Sequence, residues 1–149
     1  MKVIPCEAEH IRSIELQPRQ AFVTGLARSA GKAEEIIAAG PAFTALFDDH
    51  VIACMGILKE GERARDLCWT MLSKDAGQCL ISITRAANRF MSTWPNPLYA
   101  YSEANWPETV RWHKLLGFKI VGALFDARKW LPDGQEHSAS YTIWVREPR

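Results

Sequence analysis

The chain has 149 residues, 48% of them hydrophobic and 23% charged, with a formal net charge of +1. That length suits a single domain with one core, and the composition excludes a largely disordered chain. The near balance of 18 basic and 17 acidic residues excludes the concentrated positive field needed for broad nucleic-acid or membrane binding, but leaves room for a small basic phosphate pocket.

The N-terminal run Met1-Lys2-Val3-Ile4-Pro5-Cys6 reaches Glu7 before any long apolar stretch develops. Neither a secretory leader nor a membrane span is expected. Cys6, Cys54, Cys68 and Cys79 form no C-x-x-C pair, and His10, His50, His113 and His137 cluster neither with them nor with each other. No metal site is expected from that pattern. Free cysteines in apolar contexts act as small hydrophobes, which fits a reducing cytoplasm.

In chain order, Val3-Ile4-Pro5 predicts a short edge strand, where proline is tolerated. Ala8, Ile11 and Ile14 then recur at helical spacing. Residues 21–28 and Lys32 to Ala39 read as helices around Ser29-Ala30-Gly31, and Gly40-Pro41 ends the region. Phe43 to Phe47, a turn at Asp48-Asp49-His50, and Val51 to Leu58 predict a β-hairpin, to which Ala64 to Leu72 adds a third strand. The next helix runs from about Ala76 to Trp94, with Leu80, Ile83, Ala87, Phe90 and Trp94 on one face and Arg85, Asn88, Arg89 and Ser92 on the other. Pro95 and Pro97 stop it, and Leu98 to Tyr101 is a strand. Asn105 to Leu116 predicts a helix with Asn105 as N-cap, Glu108 completing a capping box, Pro107 in the first turn and Gly117 as a left-handed C-terminal cap. Phe118 to Asp126 and Ser138 to Val145 are closing strands, joined by a polar turn over 131–135. A meander followed by two helix-linked strands implies an α/β (α+β) domain spanning residues 1–149. Its sheet is mixed and mostly antiparallel, with six to seven strands and helices on both faces.

This order, together with the segment Asn105-Trp106-Pro107-Glu108-Thr109-Val110-Arg111-Trp112-His113-Lys114-Leu115-Leu116-Gly117-Phe118, resembles the GCN5-related N-acetyltransferase (GNAT) fold. Many members place an Asn after the fifth strand and end the following helix in Gly-Phe. Asn105 lies one residue further from Gly117 than is usual. The Arg111-Trp112 step, Lys114, Gly117 and the Cys68-Trp69 pair also look similar to small GNAT-like phage proteins of the internal virion protein A type.

The resemblance implies an acetyl-CoA co-substrate whose pyrophosphate rests on a glycine-bearing loop before the long helix. Here that loop reads Lys74-Asp75-Ala76-Gly77-Gln78-Cys79: Lys74 replaces the usual first residue, Gly77 matches, and Cys79 stands where a smaller residue is expected. Free N–H groups at a helix N-terminus suit a phosphate. Asp75 would set a negative charge beside it, and also reads as a plain helix N-cap. The resemblance further implies that Met71, Leu72 and Ser73 offer main-chain groups to the pantetheine arm, and that Asn105 belongs to the binding segment.

His113, four residues before Gly117, holds the position of the family's general acid, with a surface imidazole as the alternative. Glu103 is the candidate base, with a solvated turn carboxylate as the alternative. The functional expectations are therefore two. One is an N-acetyltransferase acting on a small-molecule or protein amine. The other is an inactive GNAT-like structural protein, with a homo-oligomeric or virion assembly partner.

Overall fold

The computed structural model describes residues 1–21, 23–59, 66–130 and 136–148, except the side chains of Leu26 and of residues 125–130 and 136–139. Seven strands form one sheet: β1 (Lys2–Pro5), β2 (Ala42–Phe47), β3 (His50–Leu58), β4 (Asp66–Leu72), β5 (Leu98–Glu103), β6 (Lys119–Trp130) and β7 (Glu136–Arg146). Their order across the sheet is β1-β2-β3-β4-β5-β7-β6. Every neighbouring pair is antiparallel except β4 and β5, which run parallel. Among the described residues the helices are α1 (Ala8–Ser13), α2 (Val23–Arg28), α3 (Lys32–Ala38), α4 (Leu80–Ser92) and α5 (Pro107–Leu115), with 3-10 turns at Pro18–Gln20 and Ala76–Cys79. The expected mixed, mostly antiparallel sheet is the observed one. The residues expected at Ala64 and in the 131–135 turn lie outside the described residues.

Side-chain alternation divides the core between the two faces of the sheet. On one face Met55, Ile57, Leu98, Ala100 and Trp144 meet Ala87 and Met91 of α4 and Leu116 and Phe118 at the end of α5. On the other, Cys54 and Met71 meet Ile11 and Ile14 of the α1 region, Ala27 of α2 and Ala33 of α3. The buried seam of α4 is Ile83, Ala87 and Met91, whereas Leu80, expected on that seam, is 40% exposed. The helix begins only at Leu80, because Ala76–Cys79 winds as a 3-10 turn.

Two turns are closed by residues in the left-handed region. Asp48 and Asp49 both take positive φ, 48° and 62°, so short side chains tolerant of the left-handed region close the β2–β3 hairpin. At the end of α5, Gly117 has φ 81°, its N–H donates to the Lys114 carbonyl, and the Phe118 N–H donates to the His113 carbonyl. This paired closure is a Schellman motif, and it fixes where His113 stands.

The start of α5 corrects the sequence expectation. Trp106, not Asn105, is the N-cap, and no side chain caps the helix. Pro107 occupies the first helical position and holds its predecessor in extended geometry, φ −122° and ψ 85° at Trp106. Glu108 therefore sits one position too early to close a capping box.

Candidate functional site

Among the described residues β4 and β5 pair at Asp66–Leu98 and Leu67–Tyr99, then part. Beyond Leu67 they enclose a cleft of about 300 Å³ between residues 67–72 of β4 and 100–103 of β5. Trp112, His113 and Leu116 of the α5 region line it, as do Gln17, Arg19 and Gln20.

The pairing parity of β4 decides which main-chain groups face this cleft. Ser73 N donates to the Ile52 carbonyl at 2.9 Å, so its groups point to β3, and antiparallel alternation turns Met71 the same way. Of the three expected main-chain positions only Leu72 faces the cleft. Thr70, which the sequence reading missed, faces it as well. These groups are engaged by the chain itself. Gln20 Nε2 donates to the Thr70 carbonyl at 2.9 Å, and Leu72 N donates to Gln20 Oε1 at 2.8 Å. Gln17 N donates to the Leu72 carbonyl at 3.0 Å.

The loop before α4 is also partly occupied. Lys74 pairs with Glu15 at 2.5 Å, which raises the lysine pKa and lowers that of the carboxylate; both side chains are well exposed. Ser73 Oγ accepts from Asp75 N, and the Asp75 side chain makes no capping bond. Gly77 lies in the open, since a Cβ added there would meet nothing within 4 Å. Gln78 is exposed, and Cys79 packs against Ala45, Ile52, Ala76 and Ile83.

His113 is buried, not a surface imidazole. Its ring stacks on Trp144, with centroids 5.0 Å apart and planes 18° off parallel, and meets Phe118 edge-on. Nδ1 lies 2.8 Å from the Thr109 carbonyl, which can only accept, so Nδ1 carries the proton and Nε2 the lone pair of the neutral ring. Burial pushes the pKa of His113 below its ordinary value, and the bond to Thr109 only partly opposes this. Glu103 lies half-buried on the cleft wall, opposite Tyr141 of β7. Burial, and then the Glu103 charge, push the Tyr141 phenol up.

Asn105 is exposed and contributes its carbonyl, which accepts from Arg19 Nη1 at 3.0 Å. Arg19 also stands over the Trp106 ring at 5.6 Å. Asp66, the acidic residue nearest the cleft on β4, is buried and accepts from Trp94 Nε1 and Asn96 Nδ2 at 2.7 and 3.1 Å, so its carboxylate braces a turn. Cys68 also lines the cleft, but burial pushes its thiol up to about 12, which keeps it neutral and a poor nucleophile. Among the described residues no group of three His, Cys, Asp or Glu side chains is placed to hold a metal.

No family model and no curated protein matches the sequence. Solved structures do match the fold. An N-acetyltransferase from Staphylococcus aureus Mu50 superposes with a TM-score of 0.71 at 12% identity, covering 98% of this chain and 97% of that one. An aminoglycoside 6'-acetyltransferase type Ii gives 0.68 at 16% identity, covering 100% and 99%. The aminoglycoside 6'-N-acetyltransferase from Enterococcus faecium gives 0.65 at 12% identity, covering 100% and 99%. The fold is that of the GNAT acetyltransferases. In this GNAT fold β4 and β5 part beyond Leu67, and His113 and Glu103 both line the cleft that results. Among the described residues no helix is long and apolar enough to cross a membrane.

Proposed function

We propose that the chain is an N-acyltransferase that moves the acetyl group of acetyl-CoA to an amine. The observation that carries this reading is the cleft where β4 and β5 part, with strand edge on one wall and a buried imidazole on another. The acetyltransferase descriptions of the structural neighbours support it, and the two aminoglycoside enzymes among them favour a small amine acceptor.

In this reading Thr70 and Leu72 hold the extended amide arm of the co-substrate, and the open space at Gly77 admits its phosphates. Glu103 takes a proton from the acceptor ammonium so that its nitrogen can attack. His113, neutral at the start, receives the next proton released by that nitrogen and passes it to the departing thiolate, so the ring ends as it began. The acyl–sulfur bond breaks as the acyl–nitrogen bond forms.

The test is a thermal shift. At acetyl-CoA concentrations about a hundredfold above the Kd, the melting temperature rises by about 5–10 °C. Gly77→Glu abolishes the rise through bulk and like charge; it leaves the free protein's melting point nearly unchanged, because the position is open and has no positive φ. A second reading, a GNAT-fold structural or virion assembly protein, is favoured by one observation: Glu15, Gln17 and Gln20 already engage Lys74 and the β4 edge. No shift at millimolar acetyl-CoA decides for it.

A further inference from the structure

The segment from Glu15 to Gln20 is tied down at both margins of the cleft. On the β4 side, Lys74 N donates to the Glu15 carbonyl at 3.0 Å, Leu16 bridges Ser73 in antiparallel sense, and Gln17 N donates to Leu72. The main chain thus adds a short stretch of strand to the outer end of β4. One turn later Pro18–Gln20 coils, and the Gln20 carboxamide completes the pairing with both Thr70 and Leu72. Gln17 Nε2 donates to Gln20 Oε1 at 3.1 Å and holds that carboxamide in place. On the far side Arg19 reaches the turn between β5 and α5, through the Asn105 carbonyl and the Trp106 ring. Adjacent side chains therefore reach in opposite directions across the mouth where the two strands part.

The Gln20 carboxamide offers β4 one donor and one acceptor, the same pair that a secondary amide of an extended ligand arm would present. We propose that residues 15–20 are a self-pairing strap, in which Gln20 stands in for a ligand amide on β4 and is displaced when acetyl-CoA binds. The inference rests on the acyl-CoA reading above. It assigns to Gln20 the control of access: ligand and strap compete for the Leu72 N–H and the Thr70 carbonyl, so the strap weakens binding by the stability of its own bonds.

The experiment combines calorimetric titration of acetyl-CoA with amide hydrogen exchange at Leu72, in the full chain. Gln20→Ala binds acetyl-CoA about five- to 150-fold more tightly than the unsubstituted protein, the range for two ordinary hydrogen bonds removed from the competitor. Its Leu72 amide exchanges faster in the free protein and regains protection when acetyl-CoA is added. Arg19→Ala, which frees the far end without touching β4, tightens binding by less, about two- to fivefold. Gln20→Met keeps the side-chain length and loses both hydrogen bonds to β4; it tightens binding by a similar factor and serves as the test if the Ala variant folds poorly. Equal or weaker binding by the Gln20 variants, with the unsubstituted protein binding normally, overturns the strap and leaves the acyl-CoA reading standing. No binding by any of the proteins overturns the acyl-CoA reading, and the strap falls with it.

Discussion

His113 is a histidine held in its neutral form by packing: Trp144 covers one face of the ring, Phe118 and Trp112 meet it edge-on, and Thr109 fixes its proton on Nδ1. A buried imidazole with a lowered pKa binds its proton less readily than the same residue in the unfolded chain. The sign of the linkage follows. Well above pH 6.5, the ordinary value for the unfolded chain, neither state is protonated at this site and His113 adds no pH dependence. As pH falls below that value the unfolded chain takes up the proton first, so stability declines until the folded-state pKa is passed. Urea midpoints measured from pH 7.5 down to 5 should show this decline, and His113→Phe, which keeps the aromatic stack, should show less of it. The same substitution tests the proposed proton relay. It should lower kcat by about 10²–10⁴-fold with acetyl-CoA affinity nearly unchanged, and His113→Tyr should keep much of the activity. Full activity in the Phe variant would leave the thiolate to be protonated by water.

α5 shows which element features the sequence carries and which it does not. Its end is legible, because a glycine after a helical run has one common use, and Gly117 takes the left-handed φ expected of it. Gly117→Ala should cost about 1–2 kcal/mol in denaturant unfolding; the added Cβ would stand 3.5 Å from Arg146 Nε, so the cost is backbone strain and not collision. Its start is less legible, because Asn105 and Pro107 compete to set the cap and the proline decides it through the residue before it. The same division holds at the cleft. His113 is singled out by the resemblance, four residues before Gly117, and Glu103 by its place at the end of the fifth strand; both line the cleft. The orientation of Met71, Leu72 and Ser73 is not legible. β3 is buried along nearly its whole length, so its apolar run lacks the alternation that would reveal pairing parity. Gln20 was invisible for another reason: a glutamine beside Pro18 carries no pattern, and only tertiary structure brings it 50 residues along the chain to Thr70.

Among the described residues the sheet consists of two antiparallel blocks, β1 to β4 and β5 to β7, joined by the short parallel contact at Asp66–Leu98 and Leu67–Tyr99. A gap that admits a ligand requires this seam to be brief, so something else must hold the seam in register. Asp66 does so. The residue is 5% exposed, and its carboxylate accepts two hydrogen bonds on Oδ2 from the segment that leads from α4 into β5, at Trp94 and Asn96. Leu98, two residues after Asn96, is the partner of Asp66 in the sheet, so the brace and the strand pairing reinforce each other. Asp66→Ala removes the acceptor and leaves two donors without it, one of them an indole N–H, at a cost of about 2–4 kcal/mol. Asp66→Asn keeps a carbonyl that can accept both bonds and should cost about 1 kcal/mol or less. The decisive readout is where the loss falls. Amide exchange in the Ala variant should accelerate first at Leu98 and Tyr99, while β2 and β3 keep their protection, because the brace belongs to the seam and not to either block. Uniform acceleration over all seven strands would instead mean that Asp66 stabilises the sheet as a single unit.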